Sequence, residues 1–442
     1  MAVRDSSAEI STSFRAKDTI GHGRAKRRPL NLLGLERILL VIVLLELLLG
    51  GNGYLTEVGG VRVRVLLAAI CFAWVPLRLI SRSPTTLPRQ VWVLLFLFVS
   101  VTAFGILVGL TNGNRPEFIL AELKPLMYFP MLLFFAIAIR DSTDVALVTK
   151  LIVVCGLIQA ITYLTLLALM HSGIISYSSV YLVLRESDEF IFRHNPEDEF
   201  FLGFFYKGAF HLAIAGLFLL MDPVRKKFWL AALLFVAVGL TLTRGLIAAL
   251  ILSLVVGVFL MPKRKWVIIL FSVAVPLTVV PLATGLIDVL RRPESDEIRL
   301  MDFETIRQEV DWVMLLIGRG MGAMIGERDR IEMTYLEILY KQGLIGLSFW
   351  MALFYTNYAA YRRVKWPWRQ RALVFQLSAT YVYLSTATNT FLTGSIGMSI
   401  VLISTVALLV LSKQSEKLSV AQQSDDHDKP ETGRASPAGR RT

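Results

Sequence analysis

Nearly unbroken apolar blocks recur along the whole chain, at 30–50, 61–80, 91–110, 118–139, 145–170, 201–221, 228–243, 245–261, 266–285, 335–358, 372–388 and 394–411. About 20 such residues, rising 1.5 Å each, carry a helix across about 30 Å of hydrocarbon. The pattern predicts an all-α polytopic membrane protein with about 12 transmembrane helices. Composition agrees: 55% of the 442 residues are hydrophobic, 18% are charged and the mean hydropathy is +0.60, which excludes an ordinary soluble protein. Residues 228–261 as one helix would run to about 51 Å, too long for one crossing. The polar stretch Thr241-Leu242-Thr243-Arg244-Gly245 therefore reads as a turn between two spans.

The net charge of +12 comes from short Lys/Arg clusters between apolar blocks, not from one basic face, so nucleic acid is not expected as a partner. With the N-terminal tail cytoplasmic, the inside loops hold 14 Lys and Arg in 36 residues and the outside loops 11 in 102. That is the positive-inside bias, and an even number of spans returns the C-terminus to the same side. Both termini are expected in the cytoplasm. No removable signal peptide is expected, because basic residues 24–28 precede the first block without a short apolar core and cleavage site. Three regions follow: a disordered basic tail at 1–29, a single membrane domain at 30–411, and a polar tail at 412–442 whose composition predicts disorder. Cys71 and Cys155 both lie inside apolar blocks and suggest neither a disulfide framework nor a metal site.

Two outside segments are long, 171–200 and 286–334, the second falling between spans 9 and 10. Function is expected on that face. In the second, Ile306, Val310, Val313 and Ile317 recur at helical spacing, predicting one amphipathic helix over 301–317 that could cover the bundle mouth. The turn Gly318-Arg319-Gly320-Met321-Gly322 lacks both the spacing and the preceding strand of a dinucleotide loop. It reads either as a backbone cradle for phosphate oxygens or as a hinge.

All eleven basic residues of the outside loops are Arg, the better bidentate partner for phosphate. Arg244 stands out, because its flanking spans are short and its turn should sit below the outer surface, where a charge needs a wet cavity or a partner. Lys124, Lys207 and Lys341 each lie about 9 Å inside the outer end of a span, either beside Arg244 in one anion cavity or in ion pairs with carboxylates such as Glu122 and Glu337. Glu332, just ahead of the re-entry at Tyr335, reads either as a general base at a half-wet mouth or as a partner for Arg328 or Arg330. The acidic runs 186–189 and 294–297 could ligate a divalent cation or be solvated surface, and His171, His194 and His211 show no ligand spacing. No metal site and no cofactor are expected. Tyr177, Tyr181 and Trp312 read as interface anchors or as faces for sugars.

Three stretches resemble the O-antigen ligase and O-antigen polymerase superfamily of bacterial inner-membrane glycosyltransferases, the Wzy-like polymerases and their ligase relatives. They are Ala121 to Tyr128 (AELKPLMY), Leu242-Thr243-Arg244-Gly245, and the Gly318–Gly322 loop followed by Tyr335 to Gly346 (YLEILYKQGLIG). The resemblance implies a GT-C-like helical bundle in the inner membrane with its active site facing the periplasm. It implies a metal-independent transfer of a polyprenyl-diphosphate-linked oligosaccharide donor onto a lipid-linked acceptor, with polyprenyl diphosphate released. A chain-length regulator and a flippase are further candidate partners, beside membrane lipid. Arg244 would stabilise the leaving diphosphate, with Arg319, Arg328, Lys124 and Lys341 as further contacts, and Glu332 would take the acceptor's proton. Glu332-Met333 stand where ligases commonly carry His-Asn, which favours a polymerase of O-antigen or exopolysaccharide over a ligase acting on a lipid A core or protein. A flippase for the same lipid is the non-enzyme alternative. The short central inside loop at 222–227 and the one-sided outer bulk argue against a repeat-built transporter.

Overall fold

The computed structural model describes residues 32–51, 57–58, 61–81, 87–185, 190–194, 201–221, 228–260, 293–326, 328 and 330–427. The helices are α1 (Leu32–Leu49), α2 (Val63–Ile80), α3 (Arg89–Thr111), α4 (Pro116–Leu126), α5 (Met131–Ala138), α6 (Ser142–His171), α7 (Tyr177–Arg185), α8 (Phe210–Met221), α9 (Phe228–Leu240), α10 (Arg244–Leu260), α11 (Pro293–Glu309), α12 (Trp312–Ile317), α13 (Thr334–Arg363), α14 (Arg369–Ser385) and α15 (Ser395–His427). Two small antiparallel hairpins, β1 (Glu57–Val58) with β2 (Val61–Arg62) and β3 (Phe190–His194) with β4 (Phe201–Tyr206), decorate the helices. Five helical segments are long and apolar enough to cross a membrane: Val63–Ile80, Arg89–Thr111, Pro116–Ala138, Ser142–His171 and Ser395–Val420. The chain is thus a helical membrane protein. The expected span at 266–285 and the tail at 1–29 lie outside the described residues.

Local chemistry sets the boundaries. Asp141 caps α6 by accepting from the Thr143 and Asp144 N–H groups, and α4 starts at Pro116, where the missing N–H costs nothing. The block 118–139 is two helices, α4 and α5, parted by a turn over 127–130 ahead of which Pro125 and within which Pro130 withdraw donors from the ladder. The expected turn between α9 and α10 is present, with Leu242 at φ 52. Of the block 201–221, the first six residues form β4 and only the remainder turns helical.

The helices α8, α14 and α15 form the buried centre. Helix α14 packs on α8, α10 and α15 although it is rich in polar residues. Its Ser378 and Thr380 hydroxyls donate to the carbonyls of Val374 and Gln376, four residues back, so these groups can be buried at little cost. Helix α1 carries Glu36, Arg37 and Glu46, and all three are paired. At one end of the bundle Arg37 meets Asp144 (2.9 Å), while Glu36 is held by Arg140 and by Arg78 at 3.7 Å. At the other end Arg64 meets Glu46 at 2.9 Å.

Two expectations change. Val310 and Asp311 leave the helical pattern, Asp311 caps α12 by accepting from the Met314 N–H, and the single helix over 301–317 becomes α11 and α12. The break shifts the phase, so Met314 is buried while Val313 is exposed. The tail expected to be disordered from 412 instead continues α15 to His427, with Ser412 and Ser415 buried and the Ser415 hydroxyl accepting from the Lys365 N–H at 2.8 Å. Residues 428–442 lie outside the described residues.

Candidate functional site

A cavity of about 900 Å³ opens at the end of the bundle where α1 finishes and α2, α4 and α13 begin. Arg62 and Arg64 from β2 and α2, Glu122, Lys124 and Tyr128 from α4 and its following turn, Arg330, and Glu337 and Lys341 from α13 line it, with Thr390, Thr393 and Ser395 closing one side. That size suits the head of a large ligand.

Lys341, 4% exposed, donates to Glu122 at 2.6 Å and to Glu337 at 3.0 Å, the second an i,i+4 pair on its own helix. One cation between two carboxylates leaves a net negative group, and the Gly322 N–H adds a donor to the other oxygen of Glu122 at 3.0 Å. Arg64 is tied from three sides: Glu46, the Gly51 carbonyl at 2.7 Å and the Ser395 hydroxyl at 2.8 Å, joining α1, α2 and α15. The buried Tyr128 hydroxyl has no hydrogen-bond partner among the described residues.

The glycine loop is the splice that holds this cavity together. The N–H groups of Arg319, Gly320 and Met321 donate to the carbonyls of Tyr340 (2.8 Å), Lys341 (2.9 Å) and Gly105 (2.9 Å), and that of Gly322 donates to Glu122. Helix α13 kinks at Gly343 (φ 64), just where the carbonyls of Tyr340 and Lys341 take these loop donors. Gly320, at φ 84, approaches α3 so closely that a Cβ would lie 2.1 Å from the Gly109 nitrogen. With its N–H groups spent on protein acceptors the loop is not an open phosphate cradle; its bonds join α3, α4 and α13.

Arg244 and Glu332 belong to a second group beside the cavity. Arg244 grips Asp296 through two bonds, at 2.8 and 3.0 Å, and Asp296 also faces Arg299 at 3.5 Å. Arg299 in turn holds Glu332 at 2.9 Å. The chain Arg244–Asp296–Arg299–Glu332 therefore brings the two residues within one network. Gly245 follows Arg244 where the turn rests closely on the 388–394 segment that also walls the cavity: a Cβ there would fall 2.0 Å from the Thr388 hydroxyl, which would have to shift.

The expected anion-binding residues thus divide. Lys124 and Lys341 line the cavity, and Arg244 stands in the neighbouring chain. Arg328 pairs with Asp302 at 2.9 Å, and Arg319 donates to the Glu309 carbonyl at 3.1 Å, both on the outer segment. Lys207 lies in a short 3-10 turn ahead of α8, away from the cavity lining. Burial pushes the Asp302 carboxyl up, against the pull of the Arg328 guanidinium. Among the described residues no three His, Cys, Asp or Glu side chains converge as metal ligands, and Asp296 is engaged with arginines. Arg64 and Tyr128 escaped the sequence reading. Arg64 sits in an apolar run, and its one signal was a charge inside a span.

Fold and cavity together define a multi-pass helical membrane protein with a charged, partly apolar pocket at one end of its bundle. The chain is similar to the O-antigen polymerase of Shigella flexneri, 29% identical over 324 residues, which is 71% of this chain and 79% of that protein. No family model matches the chain, and no solved structure matches it.

Proposed function

We propose that this protein is a polysaccharide polymerase that transfers a polyprenyl-diphosphate-linked glycan onto a lipid-linked repeat unit at the periplasmic face of the inner membrane. The similarity to an O-antigen polymerase carries this reading, and the cation-lined cavity at the bundle end supplies its chemical rationale. In the transfer, the acceptor hydroxyl oxygen bonds to the anomeric carbon as the bond from that carbon to the diphosphate oxygen breaks. The electron pair leaves with the diphosphate, so fixed cations there lower the barrier. Lys124 meets the diphosphate in the cavity, and Lys341 reaches it by giving up one of its two carboxylate partners. Arg244, Arg319 and Arg328 reach it by exchanging their protein partners for phosphate oxygens. Glu332, half exposed and held by Arg299, accepts the acceptor's proton. No metal or cofactor is required in this scheme.

The test is reconstitution in vesicles with the host's lipid-linked oligosaccharide, resolving glycan products by length, with Arg244→Ala alongside. A ladder from the wild type that disappears in the variant is expected. Transfer of an unextended glycan to a lipid A core would make the protein a ligase. Passage of an unchanged donor across the bilayer would make it a flippase.

A further inference from the structure

Helix α12 has two unlike sides. Its six residues, Trp312-Val313-Met314-Leu315-Leu316-Ile317, carry no charged side chain. On one side Met314 packs in a small buried cluster with Ile306 and Tyr340. On the other, Trp312, Val313 and Leu316 are 82%, 63% and 54% exposed. Positions i, i+1 and i+4 share one helix face, so the exposed residues form a single apolar surface rather than scattered points. In water such a face would be left without the burial that makes an apolar helix favourable.

Backbone contacts fix the depth of this face. The last turn of α12 lies against Gly343 of α13, where an added Cβ would fall 2.3 Å from the Leu316 carbonyl oxygen. Four residues beyond α12, the Met321 N–H donates to the Gly105 carbonyl of α3 at 2.9 Å. Helix α3 is apolar and long enough to cross a membrane, and Gly105 lies about 9 Å inside its Thr111 end. Around these contacts Leu107 and Leu110 of α3 and Leu344 and Ile345 of α13 are exposed, as side chains facing lipid are. The bare face of α12 therefore continues the lipid-facing surface of α3 and α13. Irregular backbone at such a depth is tolerated only where protein satisfies its polar groups. That condition is met, because the Tyr340, Lys341 and Gly105 carbonyls accept from the N–H groups of Arg319, Gly320 and Met321.

We propose that residues 312–322 are a re-entrant segment whose α12 seats Trp312, Val313 and Leu316 in the lipid of the adjacent leaflet, while the glycine loop returns the chain along α3 and α4. The partner of this face is the glycerol and upper acyl region of the bilayer. Trp312 at the start of α12 suits that boundary, with the exposed Asp311 just ahead of it on the wet side. Part of the outer segment 286–334 thus lies within the membrane. The leaflet also supports the cavity wall, since α12 runs directly into the loop whose bonds join α3, α4 and α13. Only a bilayer is required, so the seat holds for a polymerase, a ligase or a flippase alike.

The experiment counts collisions of a nitroxide label with oxygen, which concentrates in hydrocarbon, and with a nickel chelate, which stays in water. Cys71 and Cys155 are buried, so labelling falls on one introduced cysteine. Val313→Cys and, as an independent site, Leu316→Cys are labelled in the full-length protein in phosphatidylcholine nanodiscs. Leu107→Cys on α3 is the lipid standard, and Glu304→Cys, exposed on α11, is the water standard. The oxygen-to-nickel ratio at both α12 sites is expected within about twofold of the lipid standard and at least about fivefold above the water standard. A ratio equal to that at Glu304 would place α12 in water and overturn the seat. Few collisions with either reagent would mean that protein, a second copy or another chain, covers the face, and would overturn it equally.

Discussion

Replacing Lys341 by Met tests whether the buried triad holds the cavity together. In the native protein a cation that is 4% exposed sits between Glu122 and Glu337, whose side chains are 12% and 13% exposed. Met fills similar volume but leaves two nearly buried carboxylates with no cation between them. Breaking a buried pair in this way costs about 3–5 kcal/mol, because the stranded charge keeps its desolvation penalty and loses its attraction. The loss here should fall in that range, since two carboxylates are stranded but Glu122 keeps the Gly322 N–H. The triple variant Lys341→Met with Glu122→Gln and Glu337→Gln removes the charges together, and the side-chain amide oxygen introduced at position 122 can still accept from the Gly322 N–H. It should recover most of the lost stability, as neutral replacements of buried ion groups commonly do. Unfolding of the purified protein in one detergent, followed by tryptophan fluorescence, gives the ranking wild type, triple variant, single variant. A single variant within about 1 kcal/mol of wild type, or a triple variant no better than the single, would refute the claim that charge balance holds these helices together.

Two further outcomes follow from the same geometry. Gly320→Ala should destabilise strongly, because both its φ of 84 and backbone atoms 2.1 Å from the added Cβ oppose the change, whereas Gly326→Ala, at φ 56 with open space around it, should cost only about 1–2 kcal/mol; equal loss of folded protein after heating would contradict the splice. Because the Asp302 carboxyl is raised when folded, the native state holds its proton more tightly than the unfolded chain, so this residue's contribution to stability is present below about pH 4 and lost as pH rises through the elevated value. Asp302→Asn should flatten stability against pH in that window, and parallel curves for variant and wild type would contradict the assignment.

The apolar blocks at 61–80, 91–110, 118–139, 145–170 and 394–411 were legible as crossings because the bilayer imposes one length on each, and the turn at 241–243 because 228–261 is too long to cross once. Lys341 was legible as a charge that needed a partner, and Glu122 and Glu337 as candidates. Which alternative held could not be read, since Lys341 and Glu122 are 219 residues apart and meet only when α4 and α13 pack. The break at Asp311 had a local signal, an N-cap residue ahead of an apolar run, but the spacing of Ile306, Val310, Val313 and Ile317 read straight through it. The role of the glycine loop was hidden for a different reason. Glycine announces that a Cβ is not tolerated, and only the fold says whether a ligand or another backbone stands there; here it is α3 and α13.

The pairing pattern bears on how such a site can exist before its ligand arrives. Arg64, Arg244, Arg299, Arg328 and Lys341 each face a carboxylate, so most of the positive charge at this end of the bundle is balanced within the protein. A bare cluster of cations in a low-dielectric setting would repel itself and draw water into the fold. Balanced pairs avoid that cost, yet carboxylate and phosphate compete for the same guanidinium fork, so an arriving diphosphate can replace Asp296 on Arg244 in kind. Such an exchange would release Asp296 toward Arg299, which already holds Glu332, and thereby loosen Arg299's hold on that carboxylate. In the proposed reaction, diphosphate binding and proton acceptance are then linked through one shared arginine, and Arg299→Lys, which keeps the charge but loses the fork, should weaken the link more than it weakens either pair.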